Sequence, residues 1–207
     1  MSLPSVPLSL EEVLDAKRSA LIVWDMQAGI GGRVVNAEQI TAKIRVLLDV
    51  ARAANVLVVW SRHVAPPLSL TSPSGLRSLM KRQDVTDVAQ VKPFMQAGTP
   101  DVEIIPSLEP AADDLIIVKS TPSFFVGTPL ELRLRSRDIT TLVLTGVATE
   151  QGIEMTARHA LTLGFFAVVA EDAVASFTPT GHQLGLAYLR NAVDVVHAAD
   201  IAKAWRR

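Results

Sequence analysis

The chain has no cysteine among its 207 residues. Disulfides, zinc thiolate sites and thiol catalysis by its own side chains are therefore excluded. Aromatic residues are scarce at 5%, and neither charge sign dominates: 20 Lys and Arg face 21 Asp and Glu, a net charge of -1. No global field draws such a surface to nucleic acid or to an anionic membrane, although a local cluster can still hold a small acidic molecule. Long hydrophobic runs are missing too. Runs such as 165–170 fall far short of the roughly 20 residues that a membrane-spanning helix needs. Residues 1–10 carry Pro4 and Pro7 and no basic stretch, so they do not read as a signal peptide. A cytoplasmic protein that touches neither membrane nor nucleic acid is the expectation.

What the chain has is aliphatic residues, within a hydrophobic content of 49%. A chain of this length buries roughly 70% of its unfolded surface, so a single domain over 1–207 needs no staples. Short apolar runs at 20–24, 56–60, 115–118, 142–144, 165–170 and 193–196 read as six strands. Apart from Asp194 in the last, the runs are apolar, the pattern of strands covered on both faces. Between them lie helical patterns. Ile40, Ile44, Leu47 and Leu48 share one face of 37–54, Gly164 closes a helix begun near Thr149, and 201–205 is a final helix. Strands alternating with helices and joined by right-handed crossovers give an α/β fold: a three-layer, doubly wound, mainly parallel six-stranded sheet with helices on both faces. The proline-rich span 62–112 is too long to lack structure, and is expected to hold a short helix at 74–81 and loops that roof a site.

Ligands of such sheets bind beyond the carboxyl ends of the strands, at the switch in strand order. Asp25 ends the first run, His63 lies just past the second, Lys119 ends the third, and 146–152 follows the fourth. The plain reading of Asp25 and Lys119 is a salt bridge at a sheet edge. The chemical reading is a carboxyl balanced between burial, which favours the neutral form, and an ammonium, which favours the ionised one. The turn at 146–152 leads from a strand into a helix, whose free N–H groups can hold an oxyanion.

The residues also carry a resemblance. Leu21-Ile22-Val23-Trp24-Asp25-Met26-Gln27, Val118-Lys119 followed by Ser123-Phe124-Phe125-Val126-Gly127-Thr128-Pro129-Leu130, and Thr145-Gly146-Val147-Ala148-Thr149 resemble, in order, three motifs of isochorismatase-like hydrolases of the cysteine hydrolase superfamily. The resemblance implies a Rossmann-like sheet, homo-oligomers, a small-molecule substrate and a catalytic Asp, Lys and Cys, with a cis peptide at Val147–Ala148. Asp25 and Lys119 match. The position of the family's nucleophilic Cys is Gly152. The candidate substrate contacts are Gln27, His63, Phe124, Phe125, Val147 and Ala148, with buried packing the plain reading of the two phenylalanines.

Isochorismatases proper resemble this pattern, with glycine in place of the thiol. They imply acid-assisted hydrolysis of a vinyl ether such as isochorismate, with Asp25 as proton donor, Lys119 as its partner, and Gly152 making room for substrate. Two alternatives stay open: an amidase-type member whose Cys has been replaced, by nature or by engineering, and a catalytically silent ligand-binding member. Thr149, Glu150 and Gln151 read as a helix cap and first turn. Arg62 and Lys92 are the candidate cations for an acidic substrate. No metal and no other cofactor is expected: Ser61-Arg62-His63 lacks the Asp of the metal-binding relatives, and Gly29, Gly31 and Gly32 do not form a dinucleotide fingerprint. His182 and His197 belong to no motif. Trp24 and Trp60 read as core or pocket wall.

Overall fold

The computed structural model describes residues 3–34 and 36–206; Met1, Ser2, Val35 and Arg207, and with them the first residues of the 1–10 segment, lie outside the described residues. The six strands are β1 (Ser19–Trp24), β2 (Leu57–His63), β3 (Leu115–Lys119), β4 (Thr141–Val147), β5 (Phe166–Ala175) and β6 (Asp194–Val196). They form one sheet in the order β3-β2-β1-β4-β5-β6, and every pair is parallel. The chain steps outward from β1 to β3, then returns to lay β4 against the other side of β1. That reversal puts the switch point between β1 and β4.

The helices are α1 (Leu10–Val13), α2 (Ala37–Ala53), α3 (Pro73–Gln83), α4 (Leu130–Arg135), α5 (Glu154–Thr162), α6 (Pro179–Arg190) and α7 (Ala198–Trp205). α2 and α7 cover one face, where Ile40, Ile44, Leu47, Ile201 and Trp205 pack with Leu21, Val23 and Val143. On the other face Leu130, Leu134, Ala157, Ala160 and Leu189 of α4, α5 and α6 pack with Ala20, Ile22, Trp24, Leu142 and Leu144. Alternation along β1 therefore divides the two cores, and Trp24 belongs to the α5 side.

Local chemistry sets the helix starts. Ser72 accepts the Gly75 N–H ahead of Pro73, and Thr178 accepts the Gly181 N–H ahead of Pro179. Proline suits these first turns because its missing N–H would have had no partner there. β2 runs on through His63, which is its last residue, and β5 continues to Ala175 past a register shift between Leu144 and Gly146. β3 departs from the expected burial on both faces. It is an edge strand, and Ile116 and Val118 are exposed on it. Within 62–112 lie α3 and three short turns, and the end of this span is laced to the loop after β1. Ala28 N–H bonds Glu103 O at 2.9 Å, Gly29 N–H bonds Asp101 O at 2.9 Å, and Ile105 N–H bonds Met26 O at 3.0 Å. Among the described residues no helix is long and apolar enough to cross a membrane.

Ile44 is fully buried between α2 and the sheet. Ile44→Ala is expected to lower stability by about 2–5 kcal/mol, the cost of lost burial plus a cavity. Urea unfolding measures it; an unchanged midpoint would contradict this packing.

Candidate active site

Asp25 directly follows β1 in the left-handed region, with φ 47°. Asp tolerates that conformation better than most residues, and the backbone turn aims its carboxylate across the strand ends. Parallel register puts Trp24 opposite Ser61 and His63 opposite Lys119. Since side chains alternate, Trp24, Ser61 and Lys119 all lie on the α5 side of the sheet.

These residues close on the carboxylate. Lys119 Nζ donates to Asp25 Oδ2 at 2.7 Å, and Ser61 Oγ donates to Oδ1 at 2.5 Å. Ser61 Oγ also accepts the Asp25 N–H at 2.9 Å, so one hydroxyl fixes both the backbone and the side chain of Asp25. The ammonium lies 4.3 Å from the centroid of the Trp24 ring, within cation–π range. Burial pushes the Lys119 ammonium below its ordinary value, and Asp25 opposes that push by charge and hydrogen bond. The side chains of Lys119 and Asp25 are 2% and 8% exposed, so the carboxylate is the more open member of the pair.

Beside them stands the turn after β4. The Val147–Ala148 peptide bond is cis, and Gly146 has φ 103°. A Cβ at Gly146 would lie 2.1 Å from the Trp24 carbonyl oxygen, so only glycine permits this approach. A wide π-type turn, Thr149–Ile153, then leads into α5. Gly152 lies buried on that turn. A Cβ there would fall 2.3 Å from Trp24 Nε1, 2.4 Å from Cε2 and 2.6 Å from Cζ2. The expectation that Gly152 makes room for substrate is thus corrected: its space is filled by the Trp24 indole, which is 1% exposed.

The remaining expected contacts fall into two groups. His63 joins the site; burial, reinforced by Lys119 and opposed by Asp25, pushes it down to about 4. Gln27 is fully buried and spends its amide on the scaffold. Its Nε2 donates to His63 O at 3.0 Å and Val102 O at 2.7 Å, and its Oε1 accepts the His63 N–H at 2.7 Å. Phe124 is fully buried and meets Trp24 edge-on at 5.2 Å, while Phe125 stacks on Phe165. Val147 and Ala148 are buried at the cis bond.

Other readings change in detail. Thr149 does not cap the turn; its hydroxyl donates to Ala175 O at 3.0 Å and meets His182 Nδ1 at 2.8 Å. Because that one proton is spent, His182 must donate from Nδ1. Glu150 Oε1 accepts from Ser176 Oγ at 2.7 Å. Arg62, a candidate cation, is held by Val102 O at 3.0 Å and by Glu103. Two surface hollows of about 320 and 330 Å³ lie beside Arg62 and Tyr188, and neither is lined by Asp25 or Lys119. Among the described residues no three His, Asp or Glu side chains gather as a metal donor set. The sequence does not single out Ser61; its available signal is a hydroxyl directly after the apolar run 56–60.

A parallel sheet with a buried Asp–Lys pair beyond its strand ends and a cis turn beside it makes a candidate active site. The isochorismatase domain model matches residues 19–200, and the chain belongs to that family of hydrolases. Among solved structures it is similar to a cysteine hydrolase from Pseudomonas syringae pv. phaseolicola 1448A, at 27% identity and TM-score 0.81, covering 100% of this chain and 99% of that one. An isochorismatase-like hydrolase from Alkaliphilus metalliredigens matches at 25% identity and TM-score 0.75, over 91% and 99%. N-carbamoylsarcosine amidase from Thermoplasma acidophilum matches at 25% identity and TM-score 0.71, over 87% and 96%.

The histidine gives a test. Free in the unfolded chain it takes a proton near 6.5, whereas folded it does so only near 4. Between these values the unfolded chain binds the extra proton, so His63's contribution to stability is present above 6.5 and is lost as pH falls toward 4. His63→Gln is expected to lose less of its urea midpoint than the parent between about pH 7 and about pH 4.5. Equal losses would contradict the burial of this ring beside Lys119.

Proposed function

We propose that this hydrolase acts by proton-assisted addition of water, without a covalent intermediate, on a small vinyl ether such as isochorismate. The observation that carries the reading is the buried Lys119–Asp25 hydrogen bond of 2.7 Å in a site whose position 152 holds glycine and no thiol. Lys119 lies behind the carboxylate and Asp25 in front. When substrate closes out water, desolvation favours the neutral forms of this pair, and the proton shared across the bond passes from Nζ to Oδ2. Asp25 then delivers the proton to the terminal enol carbon. The C–H bond forms as the O–H bond breaks, leaving an oxocarbenium at the ether carbon. Water adds there and releases a proton that restores the pair. The hemiketal C–O bond then breaks as its hydroxyl proton passes to the leaving oxygen, giving an alcohol and pyruvate.

Ser61 and Lys119 supply the preorganisation: both carboxylate oxygens are held before substrate arrives, so little is spent on ordering at the moment of transfer. Amidase-type acyl transfer, the activity named for the Thermoplasma relative, needs a nucleophile that Gly152 does not carry.

Pyruvate release from isochorismate, followed by coupled lactate dehydrogenase, tests the reading. Asp25→Asn is expected to reduce kcat by about 10²–10⁴-fold, the usual range for a general acid, with circular dichroism unchanged. Turnover by the parent with no loss in Asp25→Asn would remove Asp25 from the role. No pyruvate from the parent would remove the vinyl ether.

A further inference from the structure

We propose that Trp24 is the residue that makes this site thiol-free: its indole occupies the volume of the missing nucleophile's side chain, so glycine at 152 is a packing requirement. The inference concerns that volume and does not depend on the vinyl-ether reading.

The distances decide it. Three atoms of one indole lie within 2.3–2.6 Å of a Cβ built on Gly152, whereas real Cβ contacts below 3.0 Å are essentially never seen. A flexible side chain could give way, but this ring has nowhere to go. Phe124 meets it edge-on at 5.2 Å and 86°, and Lys119 Nζ lies over its face at 4.3 Å. Its own backbone is fixed by pairing to Ser61 on one side and Gly146 on the other. Rigid aromatic rings in a close-packed interior do not yield several tenths of an ångström without strain.

Gly152 and Trp24 are therefore one exchange across two strand ends. A chain that had lost its thiol only by a local Cys-to-Gly replacement would keep an empty side-chain volume at residue 152. Here that volume is packed, and its occupant also rests on the ammonium. Reopening the thiol site requires two changes, a smaller residue at 24 and cysteine at 152.

The chain's lack of cysteine makes the test clean, since an introduced thiol is the only sulfhydryl present. Alkylation by iodoacetamide forms an S–C bond and expels iodide as the thiol proton leaves, and intact mass counts the product. In Gly152→Cys the sulfur is expected to react slowly, only as the packing opens. In Trp24→Val/Gly152→Cys it is expected to react at least about tenfold faster, with a pH midpoint below the ordinary thiol range because Lys119 lies alongside. Thermal melts of Gly152→Ala, Trp24→Val and Trp24→Val/Gly152→Ala cover the case in which a cysteine variant does not fold. Alanine within a helix ordinarily stabilises relative to glycine. Here Gly152→Ala is expected to lower Tm in the parent and to leave or raise it in the Trp24→Val background. Equal alkylation rates in the two cysteine variants, or a Tm that rises with Gly152→Ala in the parent, would overturn the proposal.

Discussion

The hydrogen bond between Lys119 and Asp25 is the contact around which the rest of the site is arranged. Its partners end strands that are not neighbours: β1 carries Asp25, β3 carries Lys119, and β2 lies between them. An ammonium and a carboxylate this deeply buried lose water on both sides, and their attraction offsets that loss only with good geometry and further hydrogen bonds. Ser61 supplies the second donor from the intervening strand. The parallel register brings the three groups together, so the sheet itself, more than any loop, fixes the chemistry.

Trp24 completes this arrangement and gives it direction. On one side its carbonyl forces glycine at 146; on the other its ring forces glycine at 152. Its face receives the ammonium. In the proposed exchange, a large residue just before Asp25 takes up the space at Gly152 while leaving Asp25 and Lys119 joined. The hydrolase fold persists with its nucleophile's place occupied by packing. In the proposed mechanism, the chemistry of Asp25 and Lys119 is the movement of a proton.

Much of the scaffold was legible because buried parallel strands are written as apolar runs, interrupted here only by Asp194 in the last, and all six runs became strands. Asp25 and Lys119 stood out as charges closing such runs, and Gly152 as the gap in a motif. The edge position of β3 was not legible, since Ile116 and Val118 are as apolar as residues of a covered strand. Nor was the left-handed turn at Asp25, which follows from the crossing of three strand ends. The reach of Trp24 into the space at Gly152 depends on how closely β1 and the turn after β4 approach. Residue spacing along the chain does not encode that distance. Gln27 and Phe124 show the converse. Their motif positions suggested ligand contacts, but one amide is spent on His63 and Val102 and one ring is sealed against Trp24.

The most direct check of this arrangement is a nitrogen-15 titration of the lysine side chains. If the ammonium is buried against Asp25 and beneath the indole, Lys119 titrates below the exposed lysines, and its Nζ and Cε protons are moved upfield by the ring of Trp24. A Lys119 that titrates with the exposed lysines, at shifts untouched by any ring, would contradict it.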